Sequence, residues 1–580
     1  MWDVNRTVSG QNEPLSVIAR ERPAQRPSAF LFVRTPLLLI LAAPALAQDP
    51  LYVFDGDAAG DQLGFAVAGA GDVDGDGLAD LVAGAPLEDA GGTWSGGARV
   101  WSGADGSLLH QLAGKAAGDR LGSAVAAAGD LDGDGAADLL LGAPYDELAG
   151  PGAGSAVAVA GAGAGLLLHV PGAAAGELFG SALTSVGDLD LDGVPDLAVG
   201  APRSDGPGGT LPDAGRVAVL SGATGALLLE IYGDAPGDRL GTALASPGDV
   251  DQDGFPDLLV GLPLHDAAGL DAGAARLVSG ADGSELLFVL GDSAGDRLGA
   301  AVGAAGLVNA DGVPDLLIGA YLDDPGGSGS GSAAIYSGGD GVVLRQFQGN
   351  KTGEFLGFAL GGGADANGDG RADPIIGGYG SAGAKGAVSI FSGDVGTPLL
   401  LAQGEAAGDF LGYAAAFAGD VNGDGLADYL AGAYGTAGAA GRVSVFRGDA
   451  SPLLGTPQAI SVSSGGVQNL ILQADPAFAN APYWVLGTAS GTAPGVPIDG
   501  LLLPLNPDAY TNFTLVCPSC PPLQGAFANL DGQGLGDAKV VLPAGTVPAA
   551  AGLLLHHAYV VFAGGTVGLA SNAVPLALLP

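Results

Sequence analysis

Asp72-Val73-Asp74-Gly75-Asp76-Gly77-Leu78-Ala79-Asp80 is one of seven stretches that align without a gap and decide the architecture of this chain. Its counterparts begin at Asp130, Asp188, Asp249, Leu307, Asp365 and Asp420, so the successive spacings are 58, 58, 61, 58, 58 and 55 residues. Working outward, a glycine stands sixteen positions before each start, at Gly56, Gly114, Gly172, Gly233, Gly291, Gly349 and Gly404. A Gly-acid-x-x-Gly turn opens twelve positions before it, from Gly60–Gly64 in the first unit to Gly408–Gly412 in the last. A further glycine twelve positions after it begins a Gly-Ala-Pro step at Gly84, Gly142 and Gly200, which drifts to Gly261-Leu262-Pro263 and Gly319-Ala320-Tyr321. Landmarks held in register seven times mark a repeat, each unit of which buries core only against its neighbours.

Each unit reads as four short strands. Phe65–Gly69 and Asp80–Gly84 flank the acidic stretch as a hairpin, Ala98–Trp101 follows a variable Gly-rich link, and the turn Ser102–Gly106 leads to Leu108–Leu112. Four strands per unit, repeated seven times, predict an all-β chain built on a seven-bladed β-propeller. The seventh unit loses the pattern after its third strand, Arg442–Phe446, while Leu51-Tyr52-Val53-Phe54 stands in the register of a fourth strand ahead of the first unit. The N-terminal strand is therefore expected to complete the last blade, leaving no open sheet edge at the seam.

The acidic stretches place oxygen ligands at positions 1, 3, 5 and 9, with glycine at 6 for the sharp bend. They supply Asp72, Asp74, Asp76 and Asp80; Asp130, Asp132, Asp134 and Asp138; Asp188, Asp190, Asp192 and Asp196. The fourth, sixth and seventh units supply Asp249, Asp251, Asp253 and Asp257; Asp365, Asn367, Asp369 and Asp373; Asp420, Asn422, Asp424 and Asp428. With a backbone carbonyl from position 7 these make a hard-cation shell of six or seven oxygens, which is calcium chemistry; the loop shares its first half with the EF-hand. No His or Cys stands in the loops, which disfavours zinc and copper. The fifth unit departs: Leu307 replaces the first ligand and only Asn309, Asp311 and Asp315 remain, so that site is expected to be weak or empty. Asp-Gly turns also occur without metal, but six in register, each gathering like charges, call for a cation.

Composition agrees. The chain has 580 residues, 106 of them glycine, and a formal net charge of -42, with only 20 Lys and Arg in total; this excludes a phosphate-binding surface for nucleic acid. Residues 1–47 read as a signal peptide, with Arg20, Arg22, Arg26 and Arg34 ahead of the apolar run Pro36–Ala45 and cleavage after Ala47. No later run is long and apolar enough to span a bilayer, so the mature chain is expected to be secreted or cell-surface associated.

The Gly-acid-x-x-Gly turn, the calcium loop and the Gly-Ala-Pro step together resemble the FG-GAP repeats of integrin α heads and of many secreted bacterial repeat proteins, over about Leu51 to Asp449. The resemblance implies calcium in the loop between the first two strands of a blade and ligand binding through loops of the opposite face. It implies no enzyme. The expected function is that of an extracellular binding or adhesion scaffold whose ligand is a protein or polysaccharide. The alternative is a carbohydrate-active enzyme using a carboxylate pair on the ring face, because spatial pairing of acids is invisible in sequence.

Other motifs carry less. Arg447-Gly448-Asp449 aligns with Ser392-Gly393-Asp394, the turn after every third strand, and reads as that turn rather than as an adhesion tripeptide. Cys517 and Cys520 read as a local disulfide. His110, His169 and His265 are scattered and His556-His557 lies in an apolar run, so no zinc set forms. The propeller is bounded at 48–452, and 456–580, with strand-like runs such as Ala459–Val462, Tyr483–Leu486, Phe513–Val516 and His557–Phe562, reads as a C-terminal β-sandwich.

Overall fold

Seven inner strands set the geometry of the ring, and their sequences are built for crowding. The computed structural model describes residues 50–448, apart from 310, 367–369, 394, 395, 397 and 424, and beyond them segments between 453 and 579 that are almost all strand. In the first blade Ala66–Gly71, Asp80–Ala85, Gly97–Trp101 and Leu108–Ala113 pair in that order as an antiparallel sheet. The inner strand reads Ala-Val-Ala-Gly-Ala-Gly, small enough for seven such strands to pack side by side around one axis, and the strand after it is buried throughout. The same four-stranded order recurs in every blade.

Ring closure follows the sequence expectation. Tyr52–Asp55 pairs antiparallel with Arg442–Phe446 and supplies the outermost strand of blade 7. Arg442 Nε donates to Asp55 at 2.7 Å across the seam, and Phe54 stacks on Trp101 at 4.4 Å, tying the latch to blade 1 as well.

The core lies between blades rather than within them. Val82, Val100, Leu121, Val125, Leu139 and Leu141 form one cluster shared by blades 1 and 2, and Leu63, Leu81, Trp101, Val421, Leu430 and Val443 form the one that joins blade 7 to blade 1. Two glycines of the repeat are explained by the same interface. A Cβ on Gly84 would stand 1.9 Å from the carbonyl oxygen of Gly122 in the next blade. Gly122 itself has φ +82 and would meet Gly97 O at 2.2 Å. The residue before Gly122, Leu121, makes a parallel bridge back to Gly96, and an equivalent bridge joins each neighbouring pair of blades. The Gly-acid-x-x-Gly turn is thus the joint between blades.

Past the ring the described residues are almost all strand. Leu453–Thr456, Gly466–Gln473, Leu535–Leu542 and Leu523–Gln524 form one sheet. A second sheet runs Ala459–Ser461, Val574–Leu579, Leu554–Ala563, Pro482–Thr488 and Phe527–Asn529, with Thr566–Ala570 also paired to Leu554–Ala563. The run expected at 513–516, Cys517, Cys520 and the leader at 1–47 lie outside the described residues.

Candidate metal centres and ligand face

Each acidic loop begins where the hairpin register slips. Gly69 pairs with Leu81 and Gly71 with Asp80, leaving Ala70 unpaired, and this bulge turns the strand into the loop. Within the loop the first carboxylate folds the chain around itself: Asp72 Oδ1 accepts from Gly75 N at 2.7 Å and Oδ2 from Gly77 N at 2.9 Å. Asp130, Asp188, Asp249, Asp365 and Asp420 accept from the glycine at position 6 in the same way.

The ninth residue has a function that the spacing did not reveal. Asp80 is wholly buried; its Oδ2 accepts from Val73 N at 2.7 Å and its Oδ1 from Gly103 N at 2.9 Å, in the turn between the third and fourth strands. Asp138, Asp196, Asp257, Asp315, Asp373 and Asp428 are as deeply buried and bind the matching pair of amides, so each ninth residue clamps two loops of its blade. Burial pushes the carboxyls of Asp80, Asp138, Asp196, Asp257 and Asp315 above the usual carboxylate range, against the lowering pull of those amides. Asp315 belongs to the fifth blade, whose metal ligands are incomplete, and it keeps the clamp all the same. Gly448 of Arg447-Gly448-Asp449 donates to Asp428 at 2.7 Å, which is the turn role expected for it; Asp449 lies outside the described residues.

The loops bring their carboxylates together. One oxygen each of Asp72, Asp74 and Asp80 lie within 4.8 Å of one another, and so do those of Asp130, Asp132 and Asp138 and of Asp249, Asp251 and Asp257. In the third blade the convergent set is Asp188, Asp190 and Asp192, with Asp196 turned to the clamp. At position 5, Asp76, Asp134, Asp192 and Asp253 all accept from the amide two residues on, of Leu78, Ala136, Val194 and Phe255. In the sixth and seventh loops Asn367, Asp369 and Asp424 lie outside the described residues, while Asn422 donates to Asp428 at 2.9 Å.

A model of the FG-GAP repeat matches residues 63–101, 121–160 and 179–220, the first three blades from joint to third strand. This ring is an integrin α-like FG-GAP propeller. Among curated relatives, integrin alpha-3 of Cricetulus griseus is 35% identical over 173 residues, which is 28% of this chain and 16% of that protein. Integrin alpha-PS2 of Drosophila melanogaster is 36% identical over 216 residues, 34% of this chain and 15% of its own. The chain thus spans about a sixth of the length of these relatives. Of solved structures, an exotype rhamnogalacturonan lyase aligns with a TM-score of 0.39 and 16% identity over 69% of this chain and 76% of that one.

On the face of the FG-GAP propeller opposite the acidic loops, the joints and the links between second and third strands converge. There the repeat is asymmetric. Blades 5, 6, 7 and 1 present half-buried aromatic rings in mutual contact: Tyr413 lies 4.5 Å from Tyr434, 4.9 Å from Phe358 and 5.1 Å from Phe65, and Tyr379 lies 4.6 Å from Phe358. Burial pushes the Tyr413 phenol up, with neighbouring Tyr434 adding to the shift. The joint positions of Phe65, Phe358 and Tyr413 are Ser123, Ser181, Thr242 and Ala300 in the other blades. The signal in the sequence is the drift from Gly-Ala-Pro to Gly-Ala-Tyr, since Tyr321, Tyr379 and Tyr434 occupy the proline position. No helix among the described residues is long and apolar enough to cross a membrane.

Proposed function

We propose that this chain is an extracellular, calcium-stabilised binding scaffold: a secreted, non-enzymatic FG-GAP propeller holding calcium in the hairpin loops of six blades and ligand on the opposite face. The observation that carries the metal reading is the convergence of three carboxylates within 4.8 Å in each of four fully described loops. Carboxylate oxygens with no nitrogen or sulfur among them select a hard cation, and loops already wound around the first aspartate need little rearrangement to receive it. Asp76, Asp134, Asp192 and Asp253 at position 5, and the sixth and seventh sets with Asn367, Asp369 and Asp424, belong to the same proposal.

The aromatic floor supports the ligand reading, because contiguous rings with polar rims are surfaces that protein or polysaccharide ligands stack on. Export by the leader ending at Ala47, and a β-sandwich formed by the two sheets of 456–580, complete the proposal.

Thermal unfolding of the chain from Gln48 onward, with calcium, magnesium or chelator, tests the metal reading; equal melting temperatures in all three would sink it. Binding to a panel of polysaccharides and matrix proteins, with Tyr434→Ala and Phe65→Ala as controls, tests the ligand face.

A further inference from the structure

Three more carboxylates meet on the face opposite the hairpin loops, at blade 5. Asp292 follows the glycine that ends the fourth strand of blade 4, Asp296 is the acid of the joint, and Asp323 lies just past the Gly-Ala-Tyr step; one oxygen of each is within 4.8 Å of the others. Asp296 is only 5% exposed, and its Oδ2 is buried with no hydrogen-bond donor. The Ser293 amide bonds the Asp296 carboxylate, and the side chain within its reach is Asp292, which in its charged form has no proton to give. Asp323 uses Oδ1 to accept from Asp324 N at 2.8 Å and presents its charge to the other two.

The other blades show what normally fills this place. In blade 1 Arg99 reaches Asp57 at 2.8 Å and Glu88 at 3.3 Å, the residues that align with Asp292 and Asp323. In blade 2 His169 lies 3.1 Å from Asp146. In blade 3 Arg216 reaches Glu177 at 3.1 Å and Glu230 at 2.8 Å. In blade 4 Arg276 pairs with Asp234 and His265 lies 3.2 Å from Asp238. Blade 5 has Ala334 where blades 1 and 4 have arginine, Ser332 where blade 3 has arginine, Gln346 where blade 2 has histidine, and Asp323 itself where blade 4 has His265. Acid has been kept or added while every one of those cations is missing.

We infer that Asp292, Asp296 and Asp323 form a divalent-cation site on the ligand face of blade 5, a bound ion replacing the side-chain cation of the neighbouring blades. Oxygens no more than 4.8 Å apart fit around one centre at the 2.3–2.6 Å expected of calcium, and manganese is a close substitute. The buried, unpartnered oxygen of Asp296 forms the floor of the site and exposed Asp292 its solvent edge. Next to it Arg297 donates to the Tyr321 hydroxyl at 2.9 Å, so the ion borders the aromatic floor. This site is separate from the hairpin loops and does not depend on their occupancy.

The test is a manganese soak of crystals of the full chain, read by anomalous scattering, together with calcium stoichiometry from equilibrium dialysis in solution. The expected result is a peak among Asp292, Asp296 and Asp323 that vanishes in Asp296→Asn/Asp323→Asn, with the hairpin-loop peaks unchanged and one calcium fewer bound. Loop peaks with none at blade 5, or a blade 5 peak and a stoichiometry undiminished in the double variant, overturn the inference. A blade 5 peak without loop peaks upholds it and overturns the hairpin reading instead.

Discussion

Blades 1 and 5 have the same four strands and the same clamp, yet they handle charge in opposite ways. Blade 1 has a complete acidic loop on one face, and on the other a buried arginine, Arg99, between Asp57 and Glu88. Blade 5 has lost the first loop ligand to Leu307, which is 49% exposed, and on its other face gathers Asp292, Asp296 and Asp323 without any of the basic residues used elsewhere. Strand pairing and the ninth-position clamp are indifferent to this exchange, because Asp315 binds Val308 N and Gly338 N as Asp80 binds Val73 N and Gly103 N. The scaffold of a blade and its ion chemistry are therefore separable, and four measurements can break or sharpen that separation.

The largest effect is expected from removing calcium altogether. Six sites with dissociation constants of about 0.1 mM would each add roughly 1.4 kcal/mol at millimolar calcium, about 8 kcal/mol in sum as an upper figure. Chelation should lower the melting temperature by up to about ten degrees, and magnesium should not restore it. Replacing the clamp comes next. Asp80→Ala and Asp315→Ala each leave two amides without an acceptor, costing about 2–4 kcal/mol in denaturant titrations with chelator present. Only Asp80→Ala should further lose part of the calcium increment; an equal loss in both would make the fifth loop a working site. A smaller gain is expected from rebuilding that loop. Leu307→Asp combined with Ala310→Gly should add one bound calcium and about 1.4 kcal/mol at millimolar calcium.

The smallest effect concerns the pH dependence of blade 5 in chelator. Burial first, then the hydrogen bond to Asp292 and the charges of Asp323 and Asp292, push the Asp296 carboxyl up to about 7 from its ordinary 3.8. A carboxyl raised on folding stabilises the protein fully below its unfolded value, and that contribution is lost as pH rises through the folded one. Stability in chelator should thus decline between pH 4 and about 7, and Asp296→Asn should flatten the decline. A slope unchanged in the variant would mean that the three carboxylates do not interact.

Much of this was legible in the residues. Register repeated seven times fixes blade number, and the displaced strand at Leu51–Phe54 fixes how the ring closes, because a four-strand unit missing one strand at one end must recover it at the other. Loop composition points to a hard cation, since ligand type and the glycine bend are local properties. Strand ends shifted slightly: Phe65–Gly69 became Ala66–Gly71, because the bulge at Ala70 extends pairing to Gly71.

Only the tertiary structure decided what depends on residues from different strands meeting. Asp80 and its six equivalents read as metal ligands, but their burial and their bonds to a turn some 20 to 26 residues away make them clamps first. The aromatic floor joins residues from four blades, and the trio at blade 5 joins a joint to a link 27 residues further on. Sequence determines what is periodic and local: strand alternation, turn glycines and ligand type. Which charges are neutralised depends on side chains brought together by the ring, and Coulomb energy depends on distance in space, which spacing along a chain does not give.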